Sequence, residues 1–137
     1  MSATKTGRLT HDVFACAQKV FAELGSGGDL QAYKESLYAE LSTCPYISGL
    51  ERNPRLAVFY KGKQLAHTVS ADFKIVNRND IGLVYVVLLK QVSPSMQLEF
   101  IKLLYATGCK AAVILNFGKA APDFSRVYVP EEVAIIN

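Results

Sequence analysis

The sequence predicts an α/β domain with a central mixed β-sheet flanked by helices. Three observations carry this. The chain opens with two apolar patterns at helical spacing. It continues with short apolar segments separated by turn residues. One further helical pattern then stands between two late apolar runs, as a crossover between strands of one sheet requires.

Taken in order, Val13, Ala17, Val20, Phe21 and Leu24 recur every three or four residues, with Thr10 placed to cap the helix and Gly25-Ser26-Gly27-Gly28 to break it. Leu30, Tyr33, Leu37 and Leu41 mark a second helix, closed by Pro45. Leu56–Tyr60 and Gln64–His67 read as a hairpin around Lys61-Gly62-Lys63. Ser70–Val76 and Gly82–Leu89 form the next pair, joined by Asn77-Arg78-Asn79-Asp80; the second is apolar on both faces and belongs in mid-sheet. Ser93-Pro94 starts a helix lined by Met96, Phe100, Leu103 and Leu104, and Gly108 stops it. Ala111–Asn116 is a buried strand, and Arg126–Val129 a last strand at the edge, ended by Pro130.

Half of the 137 residues are hydrophobic and 20% are charged, enough apolar material for a core and too little bias for disorder. One domain over 1–137 is expected, with a core of about 8–128, a short polar N-terminal tail and a C-terminal extension, 130–137. Fifteen Lys and Arg against 12 Asp and Glu leave +3, too small a total to imply nucleic acid by itself. Cys16, Cys44 and Cys109 are odd in number and lack metal-ligand spacing, so reduced thiols are expected. Met1–Leu9 has no apolar core of a secretory signal and no run approaches a membrane span, so a soluble, intracellular protein without membrane insertion is expected, in a compartment the sequence does not name. The glycine-rich break follows a helix and lacks a closing Gly-Lys-Ser/Thr, which argues against a phosphate loop.

Several strings occur in a telling order: Phe21-Ala22-Glu23-Leu24-Gly25, Tyr33-Lys34-Glu35-Ser36-Leu37-Tyr38-Ala39-Glu40-Leu41, Tyr60-Lys61-Gly62, Ala71-Asp72-Phe73, Leu89-Lys90, Ala106-Thr107-Gly108 and Leu115-Asn116-Phe117-Gly118. Together, over roughly residues 8 to 128, they resemble the GxxExxY family of the PD-(D/E)xK nuclease-like superfamily. The resemblance implies a restriction-endonuclease-like core. In active relatives, an acidic residue on one strand and a Glu-x-Lys at the end of the next hold Mg²⁺ or Mn²⁺, whose charge offsets that developing on a phosphodiester during displacement.

Carried over by position, Asp72 matches the first acid and Lys90 the lysine, while the carboxylate between them falls on Leu88. The signature reads Gly27-x-x-Leu30-x-x-Tyr33, with Leu30 where the family has glutamate. Glu99 falls where relatives carry a glutamine, and Met96-Gln97 where they carry His-Glu. The resemblance therefore implies a catalytically inactive scaffold with no cofactor, serving as a structural or interaction subunit among other protein subunits. Asp72 and Lys90 are its vestigial groups, expected to neutralise each other as a partly buried ion pair. The alternative is a metal-dependent nuclease or nucleic-acid binder with a site rebuilt from Asp72, Glu99 and Lys90 around Mg²⁺ or Mn²⁺. In it, the basic residues Arg52, Arg55, Lys61, Lys63, Lys74 and Arg78 would meet phosphates. His11 and His67 have no triad partners and read as surface or capping residues. Val133-Ala134-Ile135-Ile136 is a candidate contact element for a partner.

Overall fold

In a computed structural model, which describes residues 5–78 and 80–129 with side chains from Arg8 onward, three helices flank a five-stranded mixed sheet, and a two-stranded ribbon stands beside it. The expected architecture is observed. The candidate element Val133–Ile136 lies outside the described residues.

Helix α1 (Lys5–Leu24) starts earlier than the sequence suggested. Thr10 is therefore an interior, buried position and not a cap, and Leu9, at the start of the expected core, is fully buried. Leu9, Val13, Cys16, Ala17 and Val20 form the inner stripe. Gly25, at φ +70°, ends the helix. Helix α2 (Leu30–Ser42) is capped by Asp29, whose carboxylate accepts from the Ala32 amide at 2.9 Å, and it buries Tyr33, Leu37 and Leu41.

The five-stranded sheet runs β1 (Ile47–Arg52), β4 (Phe73–Asn77), β5 (Asp80–Val87), β6 (Ala111–Asn116), β7 (Asp123–Tyr128). Among the described strands only the β5–β6 pair is parallel, and helix α3 (Pro94–Thr107), capped by Ser93 and stopped by Gly108 at φ +76°, connects those two strands. Strands β2 (Arg55–Tyr60) and β3 (Lys63–Ser70) form the separate ribbon, inserted between β1 and β4. Its Lys61-Gly62 turn has positive φ at both positions, so the lysine as well as the glycine adopts the left-handed conformation.

Alternation of side chains gives the sheet two faces. Phe73, Ile75, Val84, Val86, Val113 and Leu115 pack under α1 and α2, and Leu88 joins them half-buried. Leu83, Ala112, Ile114 and Val127 pack with Leu104 of α3 and Leu56 of the ribbon. No described helix is long and apolar enough to cross a membrane.

Candidate functional site

The N-terminal end of β4 and the C-terminal ends of β5 and β6 meet at one end of the sheet, beside the start of α2. The inner stripe of α2 sets the site. Tyr33 is fully buried and stacks on Phe117 with centroids 4.4 Å apart. Its hydroxyl donates to the Gly25 carbonyl at 2.7 Å and accepts from the Gly28 amide at 3.0 Å, tying the glycine-rich turn to the helix. The Gly27 amide donates to the Phe117 carbonyl at 2.9 Å, which fixes the same turn to the end of β6.

One residue after Tyr33, Lys34 reaches Asp72. Its ammonium lies 2.8 Å from Asp72 Oδ1, with the two side chains 27% and 16% exposed. The other carboxylate oxygen, Oδ2, accepts from the Val86 amide at 2.6 Å. The Asp72 backbone closes the junction, donating to Val84 and accepting from the Asn53 amide at 2.9 Å. Beside the pair is a hollow of about 80 Å³ lined by Gln31, Lys34, Glu35, Arg52, Asn53 and Asp72. Arg52 approaches Glu35 at 3.4 Å and lies 3.6 Å from the centroid of the Tyr38 ring. The two cations and two carboxylates of the hollow are thus matched in pairs.

Beyond Val87 the chain leaves the sheet, so Leu88 and Lys90 are past the end of β5 instead of on it. A polar clasp directs that segment. Asn116 is fully buried; its Oδ1 accepts from the Leu89 and Gly118 amides at 2.8 and 3.0 Å, and its Nδ2 donates to the Leu89 carbonyl and to Asp123, both at 3.0 Å. Gly118 lies so close to this segment that an added Cβ would stand 2.5 Å from the Leu89 backbone N and O.

The expected Asp72–Lys90 pair is corrected here: the partner of Asp72 is Lys34, and Lys90 is exposed with no ion pair among the described residues. The reason is placement: Lys34 comes from α2 beside this end of the sheet, while Lys90 lies past the end of β5, where the chain has left the sheet, and is exposed. Glu99 is exposed on α3, 3.5 Å from Lys102, and α3 packs on the sheet face opposite α1 and α2. The structure does not bring it to Asp72. The basic set is divided between the sheet and the ribbon. Arg52 borders the hollow, Lys74 is half-buried in β4 opposite Glu51, and Arg78 lies over Tyr46 at the far end of β4. Arg55, Lys61 and Lys63 belong to the ribbon. His11 and His67 are exposed.

Lys34 was missed by sequence reasoning, although a signal existed: it occupies the i+4 position from Leu30 and continues the stripe Leu30, Tyr33, Leu37 and Leu41. A lysine on the inner stripe of a helix needs a partner.

These residues do not fit a divalent cation. Leu88 offers hydrocarbon, the ammonium of Lys34 takes Asp72 Oδ1, and among the described residues no three His, Cys, Asp or Glu side chains converge.

The frame is that of a nuclease-type α/β domain. A family model described as the PD-(D/E)XK nuclease superfamily matches residues 7–127, and the chain belongs to that superfamily. The crystal structure of SSO0001 is similar in fold, with a TM-score of 0.52 at 13% identity, covering 93% of this chain and 69% of that one. No curated protein matches.

Proposed function

We propose that this chain is a catalytically inactive member of the superfamily, close to the GxxExxY proteins, that serves as a structural or interaction subunit of a larger assembly. The observation that carries the reading is the Lys34–Asp72 pair. A tethered ammonium sits against the carboxylate that would hold a metal, and Leu88 supplies no second ligand. A hard cation needs several oxygens, and here Asp72 and Glu35 are already matched by Lys34 and Arg52, so that displacing Lys34 would leave a partly buried ammonium without a partner. The rebuilt-site alternative lacks support, since Glu99 stands on the other layer of the fold.

Calorimetric titration with Mg²⁺ and Mn²⁺ and a nuclease assay on single- and double-stranded DNA test the inactivity. The expected result is neither Asp72-dependent binding nor cleavage; cleavage lost in Asp72→Ala would overturn the reading. The subunit role is tested by mass in solution, alone and in native extract, and a monodisperse monomer that co-purifies with nothing counts against it.

A further inference from the structure

The ribbon β2–β3 concentrates the charge imbalance of the chain. Residues 55–70 contain Arg55, Lys61 and Lys63 and no Asp or Glu, so the rest of the sequence holds twelve basic and twelve acidic residues. Only its base is packed, through Leu56 and Val69 against the α3 layer. Toward the turn, Phe59, Tyr60 and Leu65 are 45%, 61% and 40% exposed, and every residue from Lys61 to Thr68 is exposed. Phe59 and Tyr60 are successive strand residues and present their rings on opposite faces. Two strands alone bury too little to be stable, so such a tip is better suited to being gripped than to standing in water.

We infer that the tip of the β2–β3 ribbon inserts into an acidic, aromatic-lined cleft on a partner protein, an inference that rests on the subunit reading above. Three other occupants fit less well. A second copy of this chain offers no acidic excess to meet the ribbon, because what remains of the sequence is neutral. A peptide strand added along β3 meets an irregular edge, since the pairing register shifts between Ala57 and Phe59. A nucleic acid would gain at most three phosphate contacts, with a salt slope of about three, against roughly six to ten in proteins that bind by charge. An interface with two aromatic anchors and a basic rim needs no more charge than the ribbon carries.

Binding is measured with a random Glu–Tyr copolymer, poly-Glu and a short duplex DNA as probes, using the full chain. The copolymer is expected to bind at least about fivefold more tightly than poly-Glu or DNA, because it supplies rings as well as charge. Lys61→Glu with Lys63→Glu should weaken it about tenfold, and Tyr60→Ser about fivefold. Lys110→Glu with Lys119→Glu, which changes net charge equally on exposed positions elsewhere, should change it less than about twofold. Every substituted side chain is exposed, and circular dichroism of each variant against the parent separates loss of binding from loss of fold. No copolymer binding, equal loss in both charge-reversed variants, or tighter binding of DNA would overturn the proposal. Those results leave the inactivity reading standing, whereas metal-dependent cleavage would remove that reading whatever the ribbon does.

Discussion

Replacing Lys34 by methionine removes the ammonium while keeping most of the side-chain volume. Asp72 would keep its 2.6 Å bond from the Val86 amide and lose its ion pair. A fully buried pair broken on one side costs about 3–5 kcal/mol; with side chains 27% and 16% exposed, water recovers part of that, and about 2 kcal/mol is expected. For a domain of this size that is a fall of about 8 °C in the unfolding midpoint. Thermal unfolding followed by circular dichroism measures it, with Asp72→Asn and the double variant completing a cycle. The side-chain oxygen that remains after Asp72→Asn can still accept from the Val86 amide, so the double variant should recover about 1 kcal/mol relative to the sum of the singles. Additive losses, or a Lys34→Met midpoint within about 2 °C of the parent, would mean that the pair does not hold this end of the sheet and that the reasoning is wrong.

Asn116→Ala strips four hydrogen bonds from a fully buried position and should cost about 3 kcal/mol in urea unfolding. Gly118→Ala drives a Cβ to 2.5 Å from the Leu89 backbone and should cost more than about 2 kcal/mol; Gly82→Ala meets the flexible side chain of Leu9 at 2.9 Å and should cost about 1 kcal/mol. Equal losses in the two would refute the close approach. Tyr33→Phe removes the hydroxyl that bridges Gly25 and Gly28 and should cost about 1.5 kcal/mol, seen as faster amide exchange at Gly28. Burial, then Cys44, pushes the Cys16 thiol from 9.0 up to about 11, and burial, then Cys109, pushes the Tyr85 phenol from 10.0 up to about 12. Both groups stay protonated longer in the folded chain, so their contribution is full below pH 9 and is lost as pH rises from 9 toward 12. Cys16→Ala should flatten the first part of that alkaline decline in a pH series of unfolding midpoints.

Apart from the start of α1, which lies before the expected Thr10 cap, the helices were legible because their signals are local. Gly25, Gly108 and the Ser93-Pro94 start act where they stand. Strand β1 was not legible. Ile47–Arg52 has no apolar run, holds a glycine and two charged residues, and pairs with β4 across an irregular register. The apolar run through Leu89 suggested a strand to its end, yet pairing stops at Val87 because the Asn116 side chain takes the Leu89 amide and carbonyl. That partner stands 27 residues away, and no local pattern announces it. The same holds for the site. Asp72 could be placed from the sequence, but its counterion comes from a helix that precedes it by more than a strand pair, and only the oddness of a lysine on an inner stripe hinted at it.

On the proposed reading, Leu88 and Lys34 are independent obstacles to a cation, and they fail differently under repair. Asn116 and Gly118 hold the segment after β5 by backbone contacts, which do not depend on the side chain at residue 88. A carboxylate placed there by Leu88→Glu would therefore keep roughly the path of the present chain, but the resident ammonium of Lys34, on the same side of the sheet, would compete with any cation for it. Restoring an acid alone would then extend an ion pair instead of opening a cation site. Only together with Lys34→Gln, which leaves an oxygen where the ammonium was, would two carboxylates face an uncompensated deficit of positive charge that Mn²⁺ could fill. The order in which those two changes confer metal binding separates a site that lost one ligand from a site whose cation has become part of the chain.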